Sequence, residues 1–475
     1  MIFLKNSTEL EADLFLVAAE NIYLHSGILE SGRGTKVEYI GSLEEAEKPG
    51  IYILRDDNLA SGFIKSMSKC DEYFIPNENI PSGFQTDETS LFCEKDGIYL
   101  LKFDLIFMML SLMFNKVRFD KREDFVSFGR YQRIPFMEHL LLKLKDDLKM
   151  LSVKNKSIFA ETSYDAAPHF LPTFDFDRIH YYSSLKDIVY TALSALGAKG
   201  KAKTYMEARR AERKDPWERG EEIKNLLEKN KLKGAYFAFV SERDKFAVRY
   251  SLKDARAIKE NSPENTAFGI HLSYESASEI GRARKEIEKG RKINDGKMYT
   301  RFHYLYHINE RISEMMNEEN VSADFSEGMR GRIGFSNGFC APYRLKSQGT
   351  VEIPVSAMDS AMVLESKKEC YSLLKIAEEV ARVNGVFATI YHPSSMDRRT
   401  FPEYDGIIEA MIEAGRGMEN KSMEDILEHY MTRPVFLYED KIFSVDNNSK
   451  KNIKLYLNDN KILLKKGESI TIKEE

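Results

Sequence analysis

The chain has 475 residues with 70 Lys and Arg against 75 Asp and Glu, and its formal net charge at pH 7 is −5. This length is enough for two or three domains with full-sized cores. Because acids and bases are interspersed, the chain lacks the general positive field that draws proteins onto nucleic acid or anionic membranes, so we expect no nucleic-acid partner.

The composition is not typical of a secreted or membrane-spanning protein. The four cysteines, at positions 70, 93, 340 and 370, are widely spaced and favour a reducing compartment over a disulfide framework. Four acidic residues interrupt the first twenty positions, so no secretory signal is predicted. The most apolar run, residues 105–114, reads as a buried helix and is well short of the roughly 20 residues that cross a bilayer. We therefore expect a cytoplasmic protein without a transmembrane segment.

Residues 1–120 predict a small α/β domain in which no residue pattern resembles a site. Residues 121–155 predict a linker and an amphipathic bridging helix, because apolar residues recur at helical spacing over 139–151. At the other end, residues 432–475 predict a small β appendage that contains a hairpin around 458–460.

Between residues 156 and 431, strand patterns alternate with helical patterns. Seven segments read as strands: 169–175, 234–240, 266–271, 299–304, 321–325, 351–355 and 386–391. Helical patterns lie between several of them, notably at 185–196, 217–231, 276–289 and 366–383. Repeated β-then-α units favour the α/β class and a closed or nearly closed parallel barrel, with its active site at the C-terminal ends of the strands.

Polar side chains follow the predicted strands at the places where a barrel would have its site. They are Asp175, Asp177, His271, Arg301, His303, Asp324 and His392. Asp175 and Asp177 are separated by one residue, so on a strand both lie on the same side, where two like charges indicate a metal or an acid/base role. The plainer interpretation of this pair is a solvated strand end.

Histidines are concentrated in the same half of the chain. Five of the nine lie at or just past predicted strand ends, at positions 180, 271, 303, 307 and 392. A single histidine beside an apolar strand is more often a hydrogen-bonded structural residue than a ligand. Together with the paired aspartates, they match the ligand set of a catalytic Zn²⁺, which has three protein ligands and an open position. We therefore predict a divalent metal, with Zn²⁺ the best match.

The segment around His303 has two interpretations. On a helix, His303 and His307 would face one metal together, whereas on a strand Arg301 and His303 share a side. We prefer the strand, because the segment is rich in β formers, and Arg301 could then orient a carboxylate.

Aromatic side chains and a cysteine suggest further roles. Tyr274, Tyr304, Phe335 and Tyr343 are possible exposed sugar platforms, and core or rim packing explains them equally well. Cys340 has no histidine beside it in the sequence, so it reads as a buried structural thiol rather than a nucleophile.

Several of these segments occur in an order that resembles the polysaccharide deacetylase-like proteins of the carbohydrate esterase family 4, or NodB-homology, superfamily. The segments are Thr173-Phe-Asp-Phe-Asp177, Gly269-Ile-His-Leu-Ser-Tyr274, Arg301-Phe-His303, Gly334-Phe-Ser-Asn-Gly-Phe-Cys-Ala-Pro-Tyr343, Glu352-Ile-Pro354 with Met358-Asp359, and Ile390-Tyr-His392. The nearest likeness is to a bacterial branch with an uncharacterised α/β domain ahead of the barrel. The resemblance implies a distorted (β/α)7 barrel.

The resemblance also implies roles for individual residues. It makes Asp175 the general base, Asp177 and His271 metal ligands, His392 the general acid and Arg301 the residue that braces the base. Tyr274, Phe335 and Tyr343 are then the expected substrate-binding residues. The implied activity is metal-dependent removal of acetyl groups from an N-acetylated sugar in a glycan, a glycan precursor or a nucleotide sugar.

The chain departs from the superfamily pattern at two positions. Glu275 stands where the superfamily has its second metal histidine, so the third ligand is Glu275, His303 or a water, and we favour His303. Ser336 stands where the nearer relatives have Arg. The missing histidine favours an alternative, a catalytically inactive carbohydrate-binding relative. A further alternative is a hydrolase of another C–N amide bond, since a fold does not fix a substrate.

Overall fold

The computed structural model describes residues 2–6, 14, 17–22, 35–46, 49–55, 81–87, 89–114, 133–154, 160–163, 167–180, 215, 217–240, 251–294, 296–306, 308–347, 349–366, 373–431, 435–439, 442–446, 453–457, 460–465 and 468–473. The predicted helix at 185–196 and His307 lie outside these residues. Contacts divide the chain into two compact units. The first contains Met1–Ala167, Asn337–Gln348 and Leu427–Glu475, and the second contains Pro168–Ser336 and Gly349–Ile426. The division into 1–120, 121–155, 156–431 and 432–475 stays a prediction.

The first unit contains a mixed six-stranded sheet. Its strands are β1 (Ile2–Asn6), β2 (Thr35–Ile40), β3 (Gly50–Leu54), β4 (Gln85–Thr86), β5 (Phe92–Lys95) and β6 (Ile98–Leu101). They lie in the order β1-β2-β3-β6-β5-β4, parallel from β1 to β6 and antiparallel from there to β4. The apolar run predicted as a buried helix is α1 (Leu105–Met113), and α2 (Phe136–Lys154) follows. Asp104 caps α1 by accepting the N–H of Phe107 at 2.9 Å.

Short antiparallel sheets complete the first unit. Their strands are β7 (Ala160–Ser163), β17 (Val435–Glu439), β18 (Ile442–Asp446), β19 (Ile453–Leu457), β20 (Asn460–Leu464) and β21 (Ser469–Lys473). One sheet has the order β17-β18-β21 and the other β20-β19-β7. The pairing of β19 with β20 confirms the predicted hairpin. The two-residue strand β13 (Tyr343–Arg344) also belongs to this unit.

The second unit is built around one curled parallel sheet. Its strands are β8 (His169–Phe176), β9 (Ala235–Phe239), β10 (Ala267–Leu272), β11 (Met298–Phe302), β12 (Val321–Asp324), β14 (Val351–Glu352), β15 (Ala357–Met358) and β16 (Val386–Tyr391). They lie in the order β14-β12-β11-β10-β9-β8-β16-β15, and every pair is parallel. The seven predicted strands are all found.

Helices connect these strands, as the alternating pattern predicts. They are α3 (Gly220–Asn230), α4 (Leu252–Glu260), α5 (Ile280–Arg291), α6 (Glu310–Glu318), α7 (Asp359–Ser366), α8 (Leu373–Arg382) and α9 (Ile407–Ala414), and α10 (Met423–Met431) begins in this unit. None of the helices in the described part of the chain combines the length and hydropathy needed to cross a membrane.

The sheet is open, so the predicted (β/α)7 barrel is not confirmed in its closed form. Among the strands of the second unit the order runs from β14 to β15, and these two strands are not paired with each other. The strand predicted at 351–355 keeps ladder pairing only at Val351 and Glu352. Pro354 has no N–H to donate, which explains why the regular strand stops there.

The strands at the centre of this sheet are buried along all or nearly all of their length. Every residue of β8, β9, β11 and β16 is buried, as expected for a parallel sheet covered on both faces. The register places His271 on β10 beside Arg301 on β11. Because parallel strands end at the same edge, the polar residues that follow them converge there.

Candidate metal centre

Asp177, His271 and His303 lie together at the C-terminal edge of the sheet. One ligand atom of each lies within 4.8 Å of the others, and among the described residues this is the group of three that could hold a metal ion. The Nε2 atom of His271 is 3.0 Å from Oδ1 of Asp177, and Nε2 of His303 is 3.5 Å from Oδ2. Asp177 follows β8, His271 lies on β10 and His303 follows β11. Three strands therefore supply one side chain each.

The tautomer of His271 follows from its other nitrogen. Nδ1 lies 2.9 Å from the backbone carbonyl oxygen of Arg301, which can only accept, so Nδ1 carries the hydrogen. In the neutral ring Nε2 then turns a lone pair toward the carboxylate of Asp177. Two acceptors 3.0 Å apart repel each other unless a proton or a cation lies between them. A backbone carbonyl that fixes a histidine in this way is the usual support of a metal ligand.

Asp177 is an anion in this environment. Burial by itself raises the pKa of the Asp177 carboxyl, but when Nε2 of His271 and of His303 carries a proton, their hydrogen bonds and positive charges outweigh burial and hold this pKa well below its ordinary value. Two imidazole nitrogens and one carboxylate oxygen fit a divalent ion with three protein ligands and an open position.

Aromatic packing holds the two histidines in place. The ring of Phe239 lies 4.6 Å from that of His271 and 5.0 Å from that of His303, measured between centroids. The N–H of His303 donates to the carbonyl of Leu272 at 2.8 Å. Immediately after it, Tyr304 and Leu305 have φ angles of +65° and +47°, which are unfavourable for non-glycine residues. Such backbone strain is often found at functional sites.

A buried arginine orients Asp175 beside this group. Arg301 is fully buried, and its Nη1 donates to Oδ1 of Asp175. The same guanidinium donates from Nε to the carbonyl of Phe325 at 3.1 Å and from Nη2 to Oγ1 of Thr173 at 2.9 Å. It also lies 4.2 Å from the centre of the Phe237 ring. The second oxygen of Asp175 lies 3.7 Å from Nε2 of His271, so one face of this carboxylate is directed toward the ligand group.

His392 approaches the same group from the end of β16. Its Nε2 is 3.5 Å from Oδ2 of Asp177, while its Nδ1 is 2.7 Å from Oδ1 of Asp359. The backbone N–H of His392 also donates to Asp359, at 2.8 Å. Burial lowers the pKa of His392, but the negative charges of Asp359, Asp177 and Asp175 outweigh it and raise this pKa to about 10. The imidazole is therefore protonated at neutral pH.

The structure thus brings together most of the residues that the sequence singles out. Asp175, Asp177, His271, His303 and His392 line one cavity of about 630 Å³, and Arg301 stands behind Asp175.

Asp359 has no predicted role, although it belongs to one of the sequence motifs named above. Asp359 is fully buried and holds His392 through two contacts. The sequence signal is an acidic residue directly after the short strand β15, at the same sheet edge as the rest of the site.

Other predicted site residues are not part of this group. Glu275 is turned toward α5, where its carboxylate lies 3.6 Å from Arg282, so the structure does not place it beside Asp177. Phe335 is 1% exposed and Tyr343 is 0% exposed, so the expectation that they are exposed sugar platforms is wrong. Both side chains are buried in the core, in agreement with the other interpretation of these aromatic residues, which was core or rim packing.

Tyr274 is half-buried near two exposed tyrosines. Its ring lies 5.9 Å from that of Tyr304 and 6.3 Å from that of Tyr306, in edge-to-face arrangements. His180 lines a different cavity, of about 580 Å³, next to α3 and α4. Cys340 is fully buried, in agreement with a structural thiol.

Asp324, the last residue of β12, is fully buried in a second acidic group instead of lining the cavity. It is the cross-strand neighbour of Glu352, which is fully buried too. Asp324 accepts from Thr300 at 2.6 Å and from the N–H of Ser326 at 2.9 Å, and Glu352 accepts from the N–H of Glu327 at 2.8 Å. Burial and the adjacent charge of Asp324 hold the pKa of Glu352 well above its ordinary value.

We expect the Glu352→Gln variant to gain stability relative to the natural chain as pH rises from 5 to 8. A carboxyl group whose pKa is raised by folding stabilises the folded protein at pH values below its pKa in the unfolded chain, about 4.3. This contribution is lost as the pH rises to the pKa of the same group in the folded protein. The neutral amide has no such loss and can still accept from Glu327. Urea unfolding at pH 5 and pH 8 measures the difference. An equal effect of the substitution at both pH values would contradict the raised pKa.

Comparison with known proteins does not identify a family for this chain. No family model matches the sequence, and a search of curated proteins finds no match. Among solved structures, the chain is similar to the crystal structure of a proposed polysaccharide deacetylase from Mycobacterium smegmatis. The two are 14% identical, the match covers 57% of this chain and 97% of the other, and the TM-score is 0.34.

Proposed function

We propose that the chain is a metal-dependent hydrolase that removes the acetyl group from an N-acetylated sugar. The observation that carries the proposal is the convergence of Asp177, His271 and His303 in one cavity with Asp175 on one side and His392 on the other. The sugar acetamide as substrate class comes from the order of the sequence motifs.

Asp177, His271 and His303 would hold the ion, with Zn²⁺ the metal that best matches this ligand set. When bound, a divalent ion at such a site polarises a carbonyl group and lowers the pKa of water. His271 is prepared for this role by the carbonyl that fixes its tautomer, and Asp177 by its lowered pKa.

Asp175 and His392 would move the protons. Asp175 is oriented by the hydrogen bond from Arg301, and its second oxygen faces the ligand group, so its carboxylate can accept a proton from the attacking water. His392 is protonated at neutral pH, so it can donate the proton from Nε2 to the nitrogen of the departing amine. The products are then acetate and the free amino sugar.

The inactive carbohydrate-binding alternative draws its support from the absence of a histidine at position 275. In the structure His303 supplies a second imidazole within 3.5 Å of Asp177, so a complete ligand set does not need that histidine. A paired base and acid are also more than a binding module requires.

Acetate release tests the proposal directly. The protein, stripped with a chelator and reloaded with Zn²⁺, is offered N-acetylglucosamine oligosaccharides, N-acetylated sugar phosphates and acetamides without a sugar. We expect acetate from at least one sugar substrate, loss of the activity after chelation and its return with one equivalent of metal. Metal-loaded protein that releases acetate from no sugar acetamide would overturn the proposal.

A further inference from the structure

The cavity that contains the metal centre also contains side chains that the proposed chemistry does not use. Apolar and aromatic groups form one part of its wall: Tyr304, Leu305, Met358, Leu364, Phe401 and Tyr404. Tyr304 is 42% exposed and Leu364 is 51% exposed, so this part of the wall is open to a ligand. Two arginines, Arg178 and Arg330, line the same cavity, and both are exposed.

The acidic groups of the centre do not account for these arginines. Asp175 is paired with Arg301, and Asp359 holds the imidazolium of His392. Within the described part of the chain, neither Arg178 nor Arg330 forms an ion pair.

Arg398 and Arg284, two surface arginines of the second unit, do have carboxylate partners, whereas the exposed Arg256 and Arg311 form no ion pair within the described residues. Arg398 pairs with Asp405 at 2.7 Å, and Arg284 pairs with Glu319 at 2.7 Å. The two cavity arginines therefore leave positive charge at the opening of the cavity.

Arg178 is held in place without neutralisation. Its guanidinium carbon lies 5.5 Å from the centre of the Trp217 ring, and Trp217 in turn stacks on Phe401 with centroids 6.0 Å apart. This contact places the guanidinium beside the ring and leaves its charge uncompensated, because an aromatic face attracts a cation but carries no net charge.

We propose that Arg178 and Arg330 recognise a phosphate group on the N-acetylated sugar. The inference rests on the proposed function and narrows its substrate class. The planar donor fork of arginine matches phosphate and carboxylate oxygens alike. Two arginines favour phosphate, because a phosphate monoester carries close to two negative charges at neutral pH and a sugar carboxylate carries one. A cavity of about 630 Å³ is within the usual range for small-molecule sites.

Substrate preference provides the first test. The kcat/KM for N-acetylglucosamine 1-phosphate is compared with that for methyl N-acetylglucosaminide and for N-acetylmuramic acid, which carries a carboxylate. We expect kcat/KM for the phosphate ester to exceed that for the neutral sugar by about 10- to 100-fold. Charge-assisted hydrogen bonds to arginine contribute binding free energy of this size. The Arg178→Gln and Arg330→Gln variants should each lose most of that ratio. The matched control Arg398→Gln, whose arginine is paired and lies outside the cavity, should keep it.

Binding separates this inference from the proposed function. Calorimetric titration of metal-free protein with the phosphate ester excludes direct contact between phosphate and the metal, and we expect binding that Arg178→Gln and Arg330→Gln weaken about 10-fold or more. If neutral and phosphorylated sugars release acetate at equal rates and neither variant changes these rates, the phosphate site is wrong. The proposed deacetylase activity would still be supported. A preference for the carboxylate sugar would overturn the choice of phosphate. Phosphate binding without acetate release would support this site while the deacetylase proposal fails.

Discussion

Replacing Asp175 with Asn is expected to lower kcat for acetamide hydrolysis by about 10²- to 10⁴-fold while the metal stays bound. The amide has nearly the same shape as the carboxylate and can still accept the hydrogen bond from Arg301. It cannot accept a proton from water, so the loss should fall on kcat more than on KM. Steady-state kinetics with metal analysis on the same preparation measures both quantities.

Glu275→Gln serves as the matched control for this experiment. It makes the same chemical change in a carboxylate that the structure places against Arg282 instead of the ligand group. We expect the control to retain its kcat within about threefold, an effect below 1 kcal/mol. An Asp175→Asn variant with unchanged kcat, at full metal content, would show that this carboxylate is not the base.

The second large effect concerns stability. Arg301→Met should destabilise the metal-free protein by about 3 to 5 kcal/mol, because it leaves the carboxylate of Asp175 buried without its partner. Arg301 is 0% exposed and Asp175 is 3% exposed, so water cannot take the place of the guanidinium. Urea unfolding of the natural and variant chains measures the difference.

A double-mutant cycle isolates the charge pair. In Arg301→Met with Asp175→Asn, the buried charge is gone, and we expect the combined loss to be smaller than the sum of the single losses by at least about 1 kcal/mol. The exposed pair of Arg398 and Asp405 provides the comparison, since Arg398→Met should cost less than about 1 kcal/mol. Strict additivity of Arg301→Met and Asp175→Asn would mean that the two side chains do not stabilise each other.

Much of the site could be predicted from the sequence because of one property of parallel sheets. Strands of alternating β and α units all end at the same edge, so polar residues that follow apolar strands converge even when they are far apart in the chain. Asp175 near the end of β8, Asp177 just after it, His271 on β10 and His392 after β16 follow this rule. The strand interpretation of residues 299–304 likewise places Arg301 and His303 at this edge.

The choice between Glu275 and His303 depends on a turn that spacing alone does not define. After β10 the chain enters a 3-10 helix, Tyr274–Ala277, which directs Glu275 toward Arg282. The contact between His303 and Asp177 depends instead on the pairing of β11 with β10, a long-range property of the sheet.

The burial of Phe335 and Tyr343 and the orientation of Asp359 are hard to predict for the same reason, because they also depend on contacts that are distant in the sequence. Phe335 and Tyr343 lie in a segment of mixed polarity, where nothing in the local pattern separates a platform from a core residue. The contact of Asp359 with His392 joins residues 33 positions apart. Closure of the barrel also depends on long-range pairing, and β14 and β15 are each only two residues long.

Metal content tests the central claim most directly. The natural chain and the Asp177→Asn, His271→Ala, His303→Ala and Glu275→Gln variants are purified, loaded with Zn²⁺, freed of excess metal and analysed for bound ion. We expect about one ion per chain in the natural protein and in Glu275→Gln, and strongly reduced content in the other three, because each of them removes a ligand. Full metal content after loss of His271 or His303, or a natural chain that retains no ion, would contradict the claim that these three side chains form a metal centre.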